Sequence, residues 1–350
     1  MMKRNTITID WGLIDPGKPD IDWDAVRSKG TVYLENEGAT LVDLGDRVGL
    51  IEFHTKANAL NDDICDMIVK ACEEGSKRFG ALVVGNTGRH FSAGANLAMI
   101  LETARQKNWG KLEGTIRNLQ KATMALKYCE IPVVAAPFSS ALGGGCEICL
   151  HSALVIAAKD THMGLVEAGV GLVPSGGGTK ERGLRALDKG AGQGGDLLPR
   201  LEPVLNQILT AKVSRDGEEA RTLFLTPSDG VAKSSGPPLG IARQAAILSM
   251  SKGYVADQPR TDIPVLGGPG LSYFQDKLGV LLEKGAITAH DVLIGSRIAR
   301  ILCGGDGVAG TGSEQHFLDL ESESFLFLLG TDKTLERIEY LLTHNAPLHN

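Results

Sequence analysis

Two candidate carboxylates, Glu147 and Glu167, and a glycine-flanked backbone amide lie within Pro132–Glu181, PVVAAPFSSALGGGCEICLHSALVIAAKDTHMGLVEAGVGLVPSGGGTKE. Together they could hold a developing oxyanion while protons move at a neighbouring carbon. Pro132–Pro137 is a short apolar run of the buried-strand kind, Ala141–Gly145 is small and glycine-rich, and Cys146–Leu150 reads as helical. That order predicts a strand, a tight turn and a helix start. The first helical turn leaves N–H groups without intrahelical partners, and glycine lets a ligand come close to them. The Gly144 N–H is the candidate oxyanion donor. Glu147, three residues on in the same turn, places its carboxylate near whatever that N–H grips. Glu167 follows a second buried run, Leu154–Ala158, and precedes the Gly/Pro-rich stretch Gly169–Gly178. Loops of that kind commonly present functional side chains.

At these residues the chain resembles a known family. ALGGGCE, followed by GLVEAGVGLVPSGGGT, resembles the enoyl-CoA hydratase/isomerase (crotonase) superfamily. RHFSAGANL, Arg89–Leu97, is similar to the family's other oxyanion segment, F-S/A-A-G-A-D, with Asn96 where that pattern has aspartate. HTKANALND, His54–Asp62, is similar to the loop that contacts coenzyme A. Four motifs in the right order carry far more weight than any single glycine-rich match. The resemblance implies an α/β fold, a crotonase-like spiral of repeated ββα units with a C-terminal helical region. It also implies reversible syn hydration of a trans-2-enoyl-CoA to the 3-hydroxyacyl-CoA, in fatty-acid or related acyl-CoA degradation.

The same resemblance implies roles. Glu147 would take a proton from water and Glu167 deliver one at C2, while the Ala95 and Gly144 N–H groups hold the thioester oxygen, each donor worth about 3 kcal/mol. Two close acids would titrate as a unit with one value raised. Lys56, Ala57, Ala59 and Ala93 would contact coenzyme A, which is part of the substrate, so neither a metal nor a further cofactor is expected. On the residues alone, Glu147 is also what a helix dipole favours in a first turn, Glu167 also fits a solvated loop acid, and Lys56 also fits a surface cation. Ala95 can act only through its backbone. CEICLHSA lacks the aspartate that the family carries after this segment, which removes a third acid. Retention of both glutamates favours hydration over isomerisation, hydrolysis or decarboxylation on the same fold, and over an inactive acyl-CoA-binding scaffold.

The net charge of −6 on 350 residues gives no basic face for nucleic acid. Six cysteines occur without a disulfide-like framework, a secretion signal or a long apolar span, which points to a reducing cytoplasm. Cys146-x-x-Cys149 lies in a predicted buried helix without a second ligand pair, so both are expected as reduced packing residues. G-x-G-x-x-G occurs at Gly190/Gly192/Gly195 and at Gly305/Gly307/Gly310. With 44 glycines, roughly 0.7 such matches arise by chance, and neither has the strand–turn–helix context of a dinucleotide site.

The supporting elements read as follows. Residues 1–30 form a polar arm with Trp11 and Trp23 as anchors. Strands fall near 31–34, 40–44 and 47–53, a helix over Asn61–Phe79 and a strand at Ala81–Val84. Leu97–Lys127 is one or two helices broken at Trp109-Gly110. Arg182–Leu201 reads as loose, Gly240–Lys252 as an amphipathic helix, and Tyr254–Ser272 as an extended connection. Tyr273–Lys284, Thr288–Cys303, Gln315–Leu329 and Lys333–His344 are helical. These give an N-terminal arm at 1–30, a catalytic domain at 31–255 and a helical C-terminal region at 256–350. Residues 185–315 contain an insertion absent from compact hydratases, and the longer pattern resembles the C-terminal hydratase part of bifunctional 3-hydroxyacyl-CoA dehydrogenases. A homotrimer or hexamer is expected, assembled through the apolar tail Glu321–His344. Thirty polar residues cannot hold a dinucleotide fold, so a separate 3-hydroxyacyl-CoA dehydrogenase is the expected partner.

Overall fold

The computed structural model describes residues 32–189 and 196–350. The N-terminal arm and the first G-x-G-x-x-G match therefore lie outside the described residues. The chain divides into two compact units, each made of separated stretches.

Of the described residues, the first unit takes 32–95, 121–164 and 213–258. Its large sheet contains β1 (Val32–Glu35), β2 (Ala39–Asp43), β3 (Val48–Phe53), β4 (Ala81–Gly85), β5 (Val133–Ala135), then β7 (Leu154–Ala157) and β9 (Gly230–Val231), in that spatial order. β1, β2 and β3 pair antiparallel, and β3 through β9 pair parallel. A parallel sheet is covered on both faces, which explains why ALVVG, VVA and LVIA are unbroken apolar runs. One face buries Val48, Leu50, Ala81, Val83, Val134 and Ile156 under Leu239, Ala242, Ala245 and Ala246 of the helix Leu239–Ser251. The helix Asp62–Gly75 packs on β2 and β3, and the Asn61 side chain caps it by accepting from the Ile64 N–H.

A second, smaller ladder joins β6 (Ser140–Leu142) to β8 (His162–Gly164), with single bridges Leu60–Ala95, Ser92–Ala141 and Gly164–Val213 extending it. Each pass of the chain thus gives one strand to the large sheet and one short segment to the small ladder: β3 then Leu60, β4 then Ser92–Ala95, β5 then β6, β7 then β8. This is the expected spiral. All six cysteines are buried thiols, and burial, aided by Asp62 and Asp66, pushes Cys65 up to about 12.

Of the described residues, the second unit takes 96–120, 165–189, 196–212 and 259–350. Its helices are Leu97–Arg105, the first part of Trp109–Lys127, Gly178–Asp188, Leu198–Leu209, Gly267–Glu283, Ala289–Leu302, Glu314–Leu329 and Asp332–His344, with a small sheet of β10 (Ile263–Val265) and β11 (Gly310–Gly312). Three sequence expectations need correction here. The break in Leu97–Lys127 precedes Trp109, because Lys107 turns left-handed (φ 53) and Asn108 caps the next helix by accepting from the Lys111 N–H. Arg182–Leu201 is not loose in its described part. The helix Gly178–Asp188 buries Lys180, Glu181, Leu184 and Leu187, and another helix begins at Leu198. The extended connection ends early, since a helix starts at Gly267, and Pro269 is tolerated in a first turn that needs no N–H donor there.

The apolar tail is partly buried against its own unit. Phe325, Leu328, Leu329 and Ile338 are buried within this unit, Leu335 and Leu341 are half-buried, and Phe327 (44% exposed) and Leu342 (46%) are the exposed large apolar side chains of the tail. The Arg297 guanidinium lies 3.5 Å from the Phe327 ring centroid.

Candidate active site

Within the first unit, two backbone segments meet side by side. Ser92 N–H donates to the Ser140 carbonyl at 3.0 Å, and Leu142 N–H returns a bond to the Ser92 carbonyl at 3.1 Å. Gly94 has φ +90, and a Cβ there would stand 3.0 Å from the Leu142 oxygen and 3.7 Å from Gly143 Cα. Only glycine permits both that backbone angle and that approach. The next residue on each strand is a proposed oxyanion donor, Ala95 on one side and Gly144 on the other. Among the described residues, no loop or turn hydrogen bond uses either N–H. Ala95 is exposed and Gly144 buried.

Gly144 opens the helix Gly144–His151, two residues earlier than the sequence pattern places it, behind Gly143 with φ 52. Glu147 is 1% exposed in the first turn of that helix. Its N–H donates to the Gly143 carbonyl at 3.0 Å, and its own carbonyl accepts from His151 Nδ1 at 2.7 Å. The short helix thereby has a side-chain cap at its C-terminal end on the same residue that carries the acid.

The residues proposed for coenzyme A are also brought together. Lys56–Asn58 forms a single 3-10 turn in which Ala57 (φ 56) and Asn58 (φ 48) are both left-handed. Such angles are uncommon outside glycine and persist only where the surroundings hold them. Here Asn58 Nδ2 donates to the His90 carbonyl at 2.8 Å, Ser92 Oγ to the Asn58 carbonyl at 2.8 Å, and Ala93 N–H to the Ala57 carbonyl at 3.2 Å. Lys56, Ala57 and Ala93 are exposed and Ala59 half-buried. Asn58 and Ser92 are positioning residues that the sequence reading passed over. Their signal is present as the N in KAN and the S in FSAG, but it is no different from any polar loop residue.

Glu167 belongs to the second unit. It is half-buried and opens the 3-10 turn Glu167–Val170, which ends at Gly171 with φ +83. Asn96 is in this unit too, and its side chain caps Leu97–Arg105 by accepting from the Met99 N–H at 3.2 Å. Asparagine and aspartate are comparable helix caps, which accounts for the substitution in the motif.

Near the turn, burial first and then the Arg337 and Lys333 charges push the His290 imidazole down to about 4. An unfolded histidine titrates near 6.5. The fold therefore favours neutral His290, so its stabilising contribution is full above pH 6.5 and is lost as pH falls from 6.5 through 4. Allowing for partial solvation, the loss should be about 2 kcal/mol. Urea denaturation between pH 7 and 4 should show a decline that His290→Asn flattens; equal slopes in both proteins would exclude His290 as the source.

The spiral has solved counterparts. An enoyl-CoA hydratase from Bacillus halodurans superposes with a TM-score of 0.57 at 18% identity, covering 89% of this chain and 100% of that one. The chain therefore has a crotonase fold. The sequence family Enoyl-CoA hydratase/isomerase matches residues 44–188. The "Probable 3-hydroxyacyl-CoA dehydrogenase" of Bacillus subtilis (strain 168) is 36% identical over 343 residues, 97% of this chain and 43% of that protein. The "Short-chain-enoyl-CoA hydratase" of Clostridium acetobutylicum is 32% identical over 152 residues, 43% of this chain and 54% of that protein. The sequence is thus similar to the enoyl-CoA hydratase/isomerase (crotonase) superfamily, and the chain spans about half the length of these relatives or less. Among the described residues no helix is long and apolar enough to cross a membrane.

Proposed function

We propose that the chain hydrates a trans-2-enoyl-CoA to the 3-hydroxyacyl-CoA. The observation that carries this reading is the backbone contact at Gly94, which sets the Ala95 and Gly144 amides on adjoining segments one turn from the buried Glu147. As water adds at C3, negative charge develops on the thioester oxygen. Fixed N–H donors stabilise that charge better than water, which must reorganise around it. Glu147 takes the water proton, Glu167 delivers a proton at C2, and Lys56, Ala57, Ala59 and Ala93 hold the coenzyme A part. The step consumes no electrons, so it needs no nicotinamide. Gly305/Gly307/Gly310 follows the helix Ala289–Leu302 rather than a strand, which supports leaving a dinucleotide out of the mechanism. The product is a 3-hydroxyacyl-CoA, the substrate class in the name of the Bacillus subtilis relative, so oxidation by a 3-hydroxyacyl-CoA dehydrogenase is the proposed next step.

The test is loss of the conjugated enoyl-thioester absorbance with crotonyl-CoA and longer homologues, followed by addition of NAD to the product. Turnover without NADH formation is expected until a dehydrogenase is supplied. Binding of acyl-CoA without turnover would overturn the reading in favour of a scaffold.

A further inference from the structure

We propose that Thr334 and Arg337, on the helix Asp332–His344, are positioning residues that aim Glu167; the inference rests on the reading of Glu167 as a proton donor. A four-residue 3-10 turn is a weak support for a side chain that must be placed accurately, because its hydrogen bonds are few and poorly aligned. Within the turn, Gly169 N–H donates to Val166, Gly171 N–H to Ala168 and Leu172 N–H to Glu167, and no side chain caps its start.

The turn is held from the C-terminal helix instead. Thr334 Oγ1 donates to the Gly171 carbonyl at 2.9 Å across 163 positions of sequence. A Cβ on Gly171 would lie 2.7 Å from that oxygen and 3.0 Å from Thr334 Cα, so the two backbones are in direct contact. Arg337 Nη1 reaches the Ala168 carbonyl at 3.5 Å. Ala168 inside the Glu167 turn and Gly171 at its end are thus held by residues one helical turn apart.

The grip is itself fixed. Since the Thr334 hydroxyl proton goes to Gly171, His290 Nε2, 3.0 Å away, must donate to the Thr334 oxygen. Arg337 is 1% exposed and is locked by Asp291 Oδ1 at 2.8 Å, Asn350 Oδ1 at 2.9 Å and Thr288 Oγ1 at 3.3 Å. Burying a guanidinium is costly unless it is paired and hydrogen-bonded, and this one is placed where its remaining reach falls on the turn.

The experiment measures hydration by Thr334→Val, Thr334→Ser, Glu167→Gln and the double variant Thr334→Val/Glu167→Gln, with thermal melts of each. Valine keeps the shape and loses the donor. Thr334→Val should lower kcat by about tenfold to hundredfold, the scale of a misplaced catalytic group, with KM nearly unchanged. Thr334→Ser should restore most of it, and the double variant should be no slower than Glu167→Gln alone. Arg337→Lys, which keeps the charge, should lose kcat in the same sense. A lowered melting temperature with normal kcat in Thr334→Val would make the contact merely structural and overturn the proposal, leaving Glu167 as assigned. Near-wild-type turnover in Glu167→Gln would instead remove the acid itself, and the proposal with it.

Discussion

Glu147→Gln and Glu167→Gln are each expected to lower hydration by about 10²-fold or more, the usual scale for lost acid–base catalysis, with acyl-CoA binding nearly intact. The amide keeps the size and planarity of the carboxylate but cannot take the proton of water or return one to carbon. The Glu147 side chain is 1% exposed, and the backbone of the residue is bonded to the Gly143 carbonyl and to His151. An interaction needed only in the transition state lowers kcat and kcat/KM together. Steady-state kinetics on crotonyl-CoA, with calorimetric binding of a saturated acyl-CoA, separates the cases. If either variant turns over at the wild-type rate, its assignment fails; if both lose binding in parallel with rate, the glutamates hold substrate rather than protons.

Lys180→Met should destabilise the protein by about 3–5 kcal/mol, because removing one partner of a buried pair strands the other. Lys180 Nζ sits 2.7 Å from Glu314 Oε2 and 3.8 Å from Glu181 Oε2, and all three side chains are essentially inaccessible to solvent. Glu314 Oε1 also accepts from the Arg260 N–H at 3.2 Å, so Glu314 stays in place when the ammonium goes. Glu321 accepts from the Gly177 and Lys180 N–H groups, both at 2.7 Å, and so caps the same helix with a carboxylate from 144 and 141 positions away. Replacing Lys180 and Glu314 together by Met and Leu should cost much less than Lys180→Met alone, since apolar substitutes for a whole pair are often neutral. Urea denaturation measures both. A Lys180→Met protein as stable as wild type would show that the cluster contributes nothing, and equal losses in single and double variants would show that packing rather than charge is at stake.

The parallel strands were legible because both faces of such a sheet are buried, which leaves ALVVG and LVIA without alternation. The turn at Gly144 was legible because glycines and a first-turn acid mark a helix start, and the motif supplied its company at Ala95 and Lys56. Arg182–Leu201 reads as loose for a physical reason: in the helix Gly178–Asp188, which overlaps it, Lys180, Glu181 and Arg185 look solvated until Glu314 and Glu321 are known to lie against that helix. Nothing local to TKERGLR announces partners more than 130 positions away. Thr334 and Arg337 were hidden in the same way. A side chain donating to a distant carbonyl leaves no period in the sequence.

Each unit is stitched from separated stretches, and this bears on how the chain reaches its native state. The second unit closes through bonds such as Gln120 Nε2 to the Leu318 carbonyl, 198 positions apart, and Arg105 to Glu339 at 2.7 Å. Contacts so distant in sequence form slowly, since the intervening loop must close before any of them stabilises it. During synthesis, the helices Leu97–Arg105 and Gly178–Asp188 emerge long before Glu314–Leu329 and Asp332–His344, and their apolar faces wait uncovered. A chain cut before Glu321 would hold that waiting state permanently. It would present sticky, half-built helices to chaperones and proteases rather than a well-folded subunit parted from its neighbours.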